Sequence, residues 1–234
     1  MPLIEFRLSA PATLSADQAR QLVTEAYHLA ATMHAQGRFE VVSPLWPLPH
    51  ARRGGIHLLW FRAPGQPNDE DRAPVWPEES FLFRARVGKN CGVLSIGLCR
   101  YPSEVRYKGR TRSTRLTPDW QFRSLIATHY ASLHGWDYFL RCHTAVIDLL
   151  DALRGLGFHV RINDECKYWP GRSVSALRFT IDRFNSVLAA SAGLFLDSHE
   201  ANSPGTHPNS PGRPAILRHP DFEHIEAQGV KPPS

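Results

Sequence analysis

The sequence predicts an α+β fold: an opening β-α unit, an antiparallel sheet of four or more strands, and three C-terminal helices with one further strand covering one sheet face. Three observations carry this. Runs with period-two alternation lie at residues 3–8, 81–87 and 158–162, apolar stripes at helical spacing with recognisable caps lie between and after them, and Gly88, Lys89 and Asn90 sit where a tight hairpin joins two apolar runs. Whether the last strand joins the same sheet is not legible at this level.

The LIEFRL run opens the chain as a strand with Leu3 or Ile4 facing the core. Ser15 followed by Gln18 makes a capping box. The stripe Ala19, Leu22, Val23, Ala26, Ala30 and Met33 then predicts a helix up to Gly37, with His28 and His34 off the stripe in solvent. Strands follow at 39–42, 56–62, 81–87 and 91–101; in the third, Phe81, Phe83, Ala85 and Val87 point inward and Arg84 and Arg86 outward. The stretches between them are rich in proline. The longest, Pro64 to Pro77, surrounds the acidic run Asp69, Glu70 and Asp71, which lacks the ligand spacing of a calcium loop.

Thr117, Pro118 and Asp119 read as an N-cap, an N1 proline and a first-turn acid, so Phe122, Leu125, Ile126, Tyr130 and Leu133 predict a second helix; Trp120, Phe122 and Ile126 fit a strand as well. A third helix runs from about Trp136, with Phe139, Leu140, Val146, Ile147, Leu150 and Leu153 inward, to the stop at Gly155 to Gly157. Phe158, Val160 and Ile162 form a strand. Ser173 caps a fourth helix whose inner stripe is Val174, Leu177, Ile181, Phe184, Leu188 and Phe195. The expected organisation is therefore a single domain over 1–197, a flexible Pro/Gly/Ser linker over 198–214, and a tail over 215–234 with a short helix around Phe222 and Ile225 that docks on the body or on a protein partner.

Composition bounds the function. The 234 residues are 42% hydrophobic, enough for a core, and carry a formal charge of +5. No run approaches a membrane span, and Glu5 and Arg7 interrupt the region where a signal peptide needs an apolar stretch, so a cytoplasmic protein of bacterial type is expected. Cys91, Cys99, Cys142 and Cys166 include no C-x-x-C pair, and reduced thiols are expected. Only four of the 27 basic residues are lysine, a bias that GC-rich coding or a need for guanidinium forks explains equally. Motifs of P-loop, dinucleotide-binding, zincin and α/β-hydrolase type do not occur.

Three segments carry candidate chemistry. Arg100, Arg106, Lys108, Arg110, Arg112 and Arg115 crowd one segment opposed only by Glu104, with Tyr101 and Tyr107 interleaved; such a segment suits an acidic protein surface or a nucleic acid, or pairs with the acidic loop of the chain itself. His129, His134 and His143 approach one another if the second and third helices form a hairpin. They would then hold zinc for hydrolysis of a phosphate ester, with Asp137, Cys142 or Glu165 nearby. The simpler reading makes His129 and His143 core histidines and His134 a helix cap. Asp164 and Glu165, at the end of a strand before a helix, offer an acid/base pair, or belong to a packed turn closed by Tyr168 and Trp169. The leading expectation is a cytoplasmic binding or adaptor protein that contacts its acidic partner through the arginine-rich segment, with no cofactor; a zinc hydrolase is the alternative.

Overall fold

A computed structural model describes residues 2–45, 59–62, 72–107 and 109–202, the side chains of 59–62, 72–74, 107 and 189–202 excepted. The architecture is α+β, built on a mostly antiparallel sheet of six strands in the order β10 (His159–Asp164), β1 (Ile4–Ala10), β9 (Trp120–Ile126), β6 (Leu94–Arg100), β5 (Glu79–Arg86) and β2 (Val41–Val42). Two compact units are distinguished, residues 3–163 and residues 1–2 with 164–234.

In the larger unit, β1 (Ile4–Ala10) buries alternate residues, with Ile4, Phe6, Leu8 and Ala10 in the core and Glu5 and Arg7 in solvent, the pattern a half-buried strand requires. The helix α1 (Ala16–Ala35) starts at the expected capping box, in which Gln18 N donates to Ser15 Oγ and Ser15 N to Gln18 Oε1. It buries Ala19, Val23, Ala26, Ala30 and Met33 and packs on β5, β6 and β2. It ends where Gly37 takes φ +74°, a left-handed conformation that glycine adopts without strain, letting Arg38 N donate to Met33 O.

The next strands are β2 (Val41–Val42), β3 (Leu59–Arg62), β4 (Arg72–Val75), β5 (Glu79–Arg86) and β6 (Leu94–Arg100). β3 and β4 form a separate two-stranded sheet. The pair β5–β6 is antiparallel, as the glycine-bearing turn implied, with Glu79 opposite Arg100 and Ala85 opposite Leu94. Phe83, Ala85 and Val87 are buried as expected, and Leu82 is buried as well, because β5 is covered on both faces.

The helix expected after Pro118 is not formed. Residues Trp120–Ile126 are the strand β9, followed by a short 3-10 helix at His129–His134. β9 pairs residue for residue with β1, from Ile4 opposite Ile126 to Ala10 opposite Trp120, and so satisfies seven residues of backbone that β1 would otherwise leave bare. Leu125, on the inner stripe of the expected helix, is 52% exposed. Among the described residues two of the expected three C-terminal helices are formed, α2 (Trp136–Gly155) and α3 (Val174–Asn202).

α2 buries Phe139, Cys142, His143, Val146, Ile147, Leu150 and Leu153. The strand β10 (His159–Asp164) joins the main sheet beside β1. In the smaller unit, α3 runs through Asn202, past Asp197 into the first residues of the stretch read as linker. Leu177 and Ile181 of its expected stripe are buried, whereas Val174 is 45% exposed. The remainder of that linker, the tail with Phe222 and Ile225, and the acidic run at 69–71 lie outside the described residues. No helix among the described residues is long and apolar enough to cross a membrane.

Candidate functional site

The arginine-rich segment folds as a two-stranded ribbon of its own, β7 (Glu104–Tyr107) paired antiparallel with β8 (Arg110–Ser113). Gly109, at φ +77°, lies in the turn between them. Alternation had not announced these strands because nearly every position is polar: a ribbon outside the core has no face to bury. Arg106, Arg110, Arg112 and Arg115 are all exposed. The register places Arg112 opposite Val105 and Arg106 opposite Thr111. Arg110 and Arg112 therefore share one face of the ribbon and Arg106 takes the other. Among the described residues none of these four guanidinium groups is held in an ion pair, and Glu104 is the only acid on the ribbon. Lys108 and the Tyr107 side chain lie outside the described residues.

Arg100 does not belong with them. It ends β6, where it pairs with Glu79 at 3.1 Å, donates to Leu14 O at 2.9 Å and lies 4.3 Å over the Trp120 ring. It is a cation neutralised within the fold, and the sequence grouping that counted it with the ribbon is corrected by this geometry.

A second cationic surface escaped the sequence. On the outer face of the sheet the register sets Arg7 of β1 directly opposite Arg123 of β9, a like-charge pair that sheets ordinarily avoid. Beside it a groove of about 580 Å³ is lined by Arg7, Ser9, Arg154, His159 and Arg161. Arg154 is paired with Asp151 at 2.6 Å, and Arg7 donates to Gln121 Oε1 at 3.0 Å. Gln121 Nε2 is buried with no hydrogen-bond partner among the described residues, a donor left over next to this cationic row. Arg7 and Arg123 are 116 positions apart in sequence, so only strand pairing brings them together.

The three imidazoles are not gathered. His129 and His134 stand at the two ends of the 3-10 helix and His143 lies within α2; His129 and His143 are fully buried and His134 is exposed. Their ring nitrogens do not all come within 4.8 Å of one another. His143 Nδ1 is hydrogen-bonded to Thr128 Oγ1 at 2.9 Å, His129 packs on Tyr130 with ring centroids 4.1 Å apart, and Asn90 Nδ2 donates to His134 Nε2 at 3.1 Å. The expected convergence required a helical hairpin, and β9 removes its first arm.

In the smaller unit the Asp164 carboxylate accepts from the backbone N–H groups of Cys166, Tyr168 and Trp169 at 2.9 to 3.0 Å. Glu165 is exposed. This carboxylate organises the turn that leads to Ser173, whose Oγ accepts from Ala176 N at the start of α3. Arg172 lies 5.7 Å from the Trp169 ring and 6.0 Å from the Tyr168 ring. Both Asp164 oxygens are occupied by backbone donors, which is the packed-turn arrangement and not the one an acid/base pair needs.

A further cluster joins residues that sequence treated separately. The turn after β5 crosses α2 so closely that a Cβ on Gly88 would lie 2.6 Å from Tyr138 Oη and 2.7 Å from Cys142 Sγ. Lys89 N donates to Tyr138 Oη at 2.6 Å, and Cys142 Sγ contacts Val87 O at 3.9 Å. Cys91 belongs to the same turn, its N donating to Gly88 O at 3.3 Å. The neighbouring Cys91 thiol lowers that of Cys142, and Cys142 together with burial raises that of Cys91. Arg141 and the Tyr138 hydroxyl also favour the Cys142 thiolate, against burial and the Glu40 carboxylate. Cys99 and Cys166 are buried, and burial pushes both thiols up, Cys99 to about 12.

No known protein family matches this chain, and no curated protein or solved structure is detectably similar to it.

Proposed function

We propose that this chain is a cytoplasmic binding protein that contacts an acidic partner, nucleic acid, through the arginine ribbon of β7 and β8. One observation carries the reading: three guanidinium groups, of Arg106, Arg110 and Arg112, stand exposed on a ribbon with a single acid, with a fourth exposed at Arg115 just beyond it, all unneutralised among the described residues. Leaving them so is unfavourable for a protein by itself, because like charges repel, and becomes favourable when phosphates displace condensed counterions. Arginine suits this better than lysine, since its planar fork donates two parallel hydrogen bonds to one phosphate. Two-stranded ribbons are moreover narrow enough to enter a nucleic-acid groove. The row of Arg7, Arg123 and Arg161 on the outer sheet face supports the same class of partner.

The test is binding of a fluorescent duplex and a single-stranded oligonucleotide by the parent and by a variant carrying Arg106→Ala, Arg110→Ala, Arg112→Ala and Arg115→Ala. At low salt the variant is expected to bind at least about ten-fold more weakly. Equal affinity, or no binding by the parent, refutes the proposal.

A further inference from the structure

We propose that the groove at β1 and β10 is a binding site for a phosphate monoester. The site shares no residue with β7 and β8, and it stands whether or not the ribbon binds nucleic acid. Its lining lies wholly within the larger unit. A volume of about 580 Å³ falls among the roughly 300–1,000 Å³ usual for small-ligand sites, so the groove has room for a phosphate together with the organic body that bears it.

Strand register assembles the donors. Arg7 and Ser9 of β1 stand opposite Arg123 and Gln121 of β9, so the four share one face of the sheet. On the neighbouring β10, His159 and Arg161 are exposed on either side of the buried Val160, and they line the groove with Arg7 and Ser9. Arg154 also lines it but is already held, by Asp151 at 2.6 Å and by Val160 O at 3.1 Å. Arg7 donates to a neutral amide, Gln121 Oε1, at 3.0 Å. Among the described residues Arg7, Arg123 and Arg161 have no ion-pair partner, and Glu5 is the one carboxylate on β1. The second observation is the other end of that amide: Gln121 is only 8% exposed, yet its Nε2 lacks a hydrogen-bond partner among the described residues. A buried donor left unmade is unfavourable, and a ligand oxygen bound beside Ser9 satisfies it.

The donor set selects the anion. Guanidinium forks from Arg7 and Arg161, with the His159 ring and the Ser9 hydroxyl, offer several hydrogen bonds and more than one positive charge. A phosphate monoester answers with about −1.5 to −2 charges and three terminal oxygens. A phosphodiester or a carboxylate carries a single charge and leaves more of the row unneutralised. Concave walls of one sign focus the field on such an anion, and its binding relieves the repulsion between Arg7 and Arg123.

The test titrates the full, isotope-labelled chain with inorganic phosphate, AMP and adenosine, and follows its amide signals by NMR. Inorganic phosphate and AMP are expected to shift the Gln121 side-chain amide and the backbone amides of 7–9 and 159–161 saturably, and adenosine to leave them in place. Arg7→Gln combined with Arg161→Gln, both at exposed positions, is expected to weaken AMP binding at least about ten-fold through the loss of charge-assisted hydrogen bonds. A short single strand, terminally phosphorylated or not, separates the two sources of the group. Tighter binding of the phosphorylated strand than of AMP assigns a strand end to the groove, and weaker binding a free mononucleotide. No saturable shift with phosphate or AMP, equal shifts with adenosine, shifts confined to the ribbon at 104–113, or undiminished affinity in the double variant would overturn the proposal. The parent spectra alone separate binding in the groove from its absence, so the test holds even where the variant fails to fold.

Discussion

The register of the arginine ribbon makes a quantitative distinction between residues that composition treats alike. Arg110 and Arg112 are two apart on β8 and project from one face, while Arg106, opposite Thr111, projects from the other. A duplex engaging the ribbon through the Arg110 and Arg112 face gains two phosphate contacts from them and none from Arg106. Each contact contributes about 0.9 to the slope of log affinity against log salt, so Arg110→Ala with Arg112→Ala should flatten that slope by about 1.8. Between about 50 and about 200 mM salt the parent should then lose roughly ten-fold more affinity than the double variant does. Arg106→Ala should leave the slope within about 0.3 of the parent. Fluorescence anisotropy titrations at four or more salt concentrations supply the measurement. If Arg106→Ala flattens the slope as much as the double variant does per residue removed, or if neither changes it, the assignment of one binding face to the ribbon is wrong.

Further predictions concern parts that hold the fold. Arg100→Gln should leave the salt slope unchanged while lowering stability by about 1–2 kcal/mol in urea unfolding, since it loses a partly exposed ion pair and a cation-π contact. A loss of oligonucleotide affinity comparable to that of the ribbon variants would put Arg100 back among the binding residues. Gly97→Ala places a Cβ 2.1 Å from Phe81 O and 2.9 Å from Leu82 Cα, both backbone atoms of the paired strand that cannot yield as a side chain would. The expected loss is at least about 3 kcal/mol, or roughly 6–12 °C in melting temperature, and an unchanged melt would contradict the β5–β6 register. Asp164→Asn converts an acceptor of three backbone N–H groups into one with a competing donor. A loss of about 2–4 kcal/mol is expected, read as early proteolysis or exchange within 164–173; protection equal to the parent's would show that the turn is organised by something else.

Much of the fold could be read from short-range pattern. The Ser15 box, the stripe from Ala19 to Met33, the Gly37 stop and the whole of α2 follow from contacts three or four residues apart, which the chain makes wherever it is placed. The β5–β6 hairpin is local in the same sense. At 117–133 the same reasoning met two periods at once, since Trp120, Phe122 and Ile126 satisfy a strand and Phe122, Leu125, Ile126 and Tyr130 a helix. The choice fell to β1, whose unpaired backbone needed a partner along its full length.

The candidate sites divide in the same way. That arginines crowd 106–115 is a property of sequence alone, because exposed charge needs no partner to be recognised. That Arg100 is withdrawn from that group, that Arg7 faces Arg123, that the imidazoles stay apart and that the turn at Gly88 lies against Cys142 were decided by tertiary structure. Local propensity reaches only about one helical turn along the chain, and strand register and helix docking fix which distant side chains then share a few ångströms.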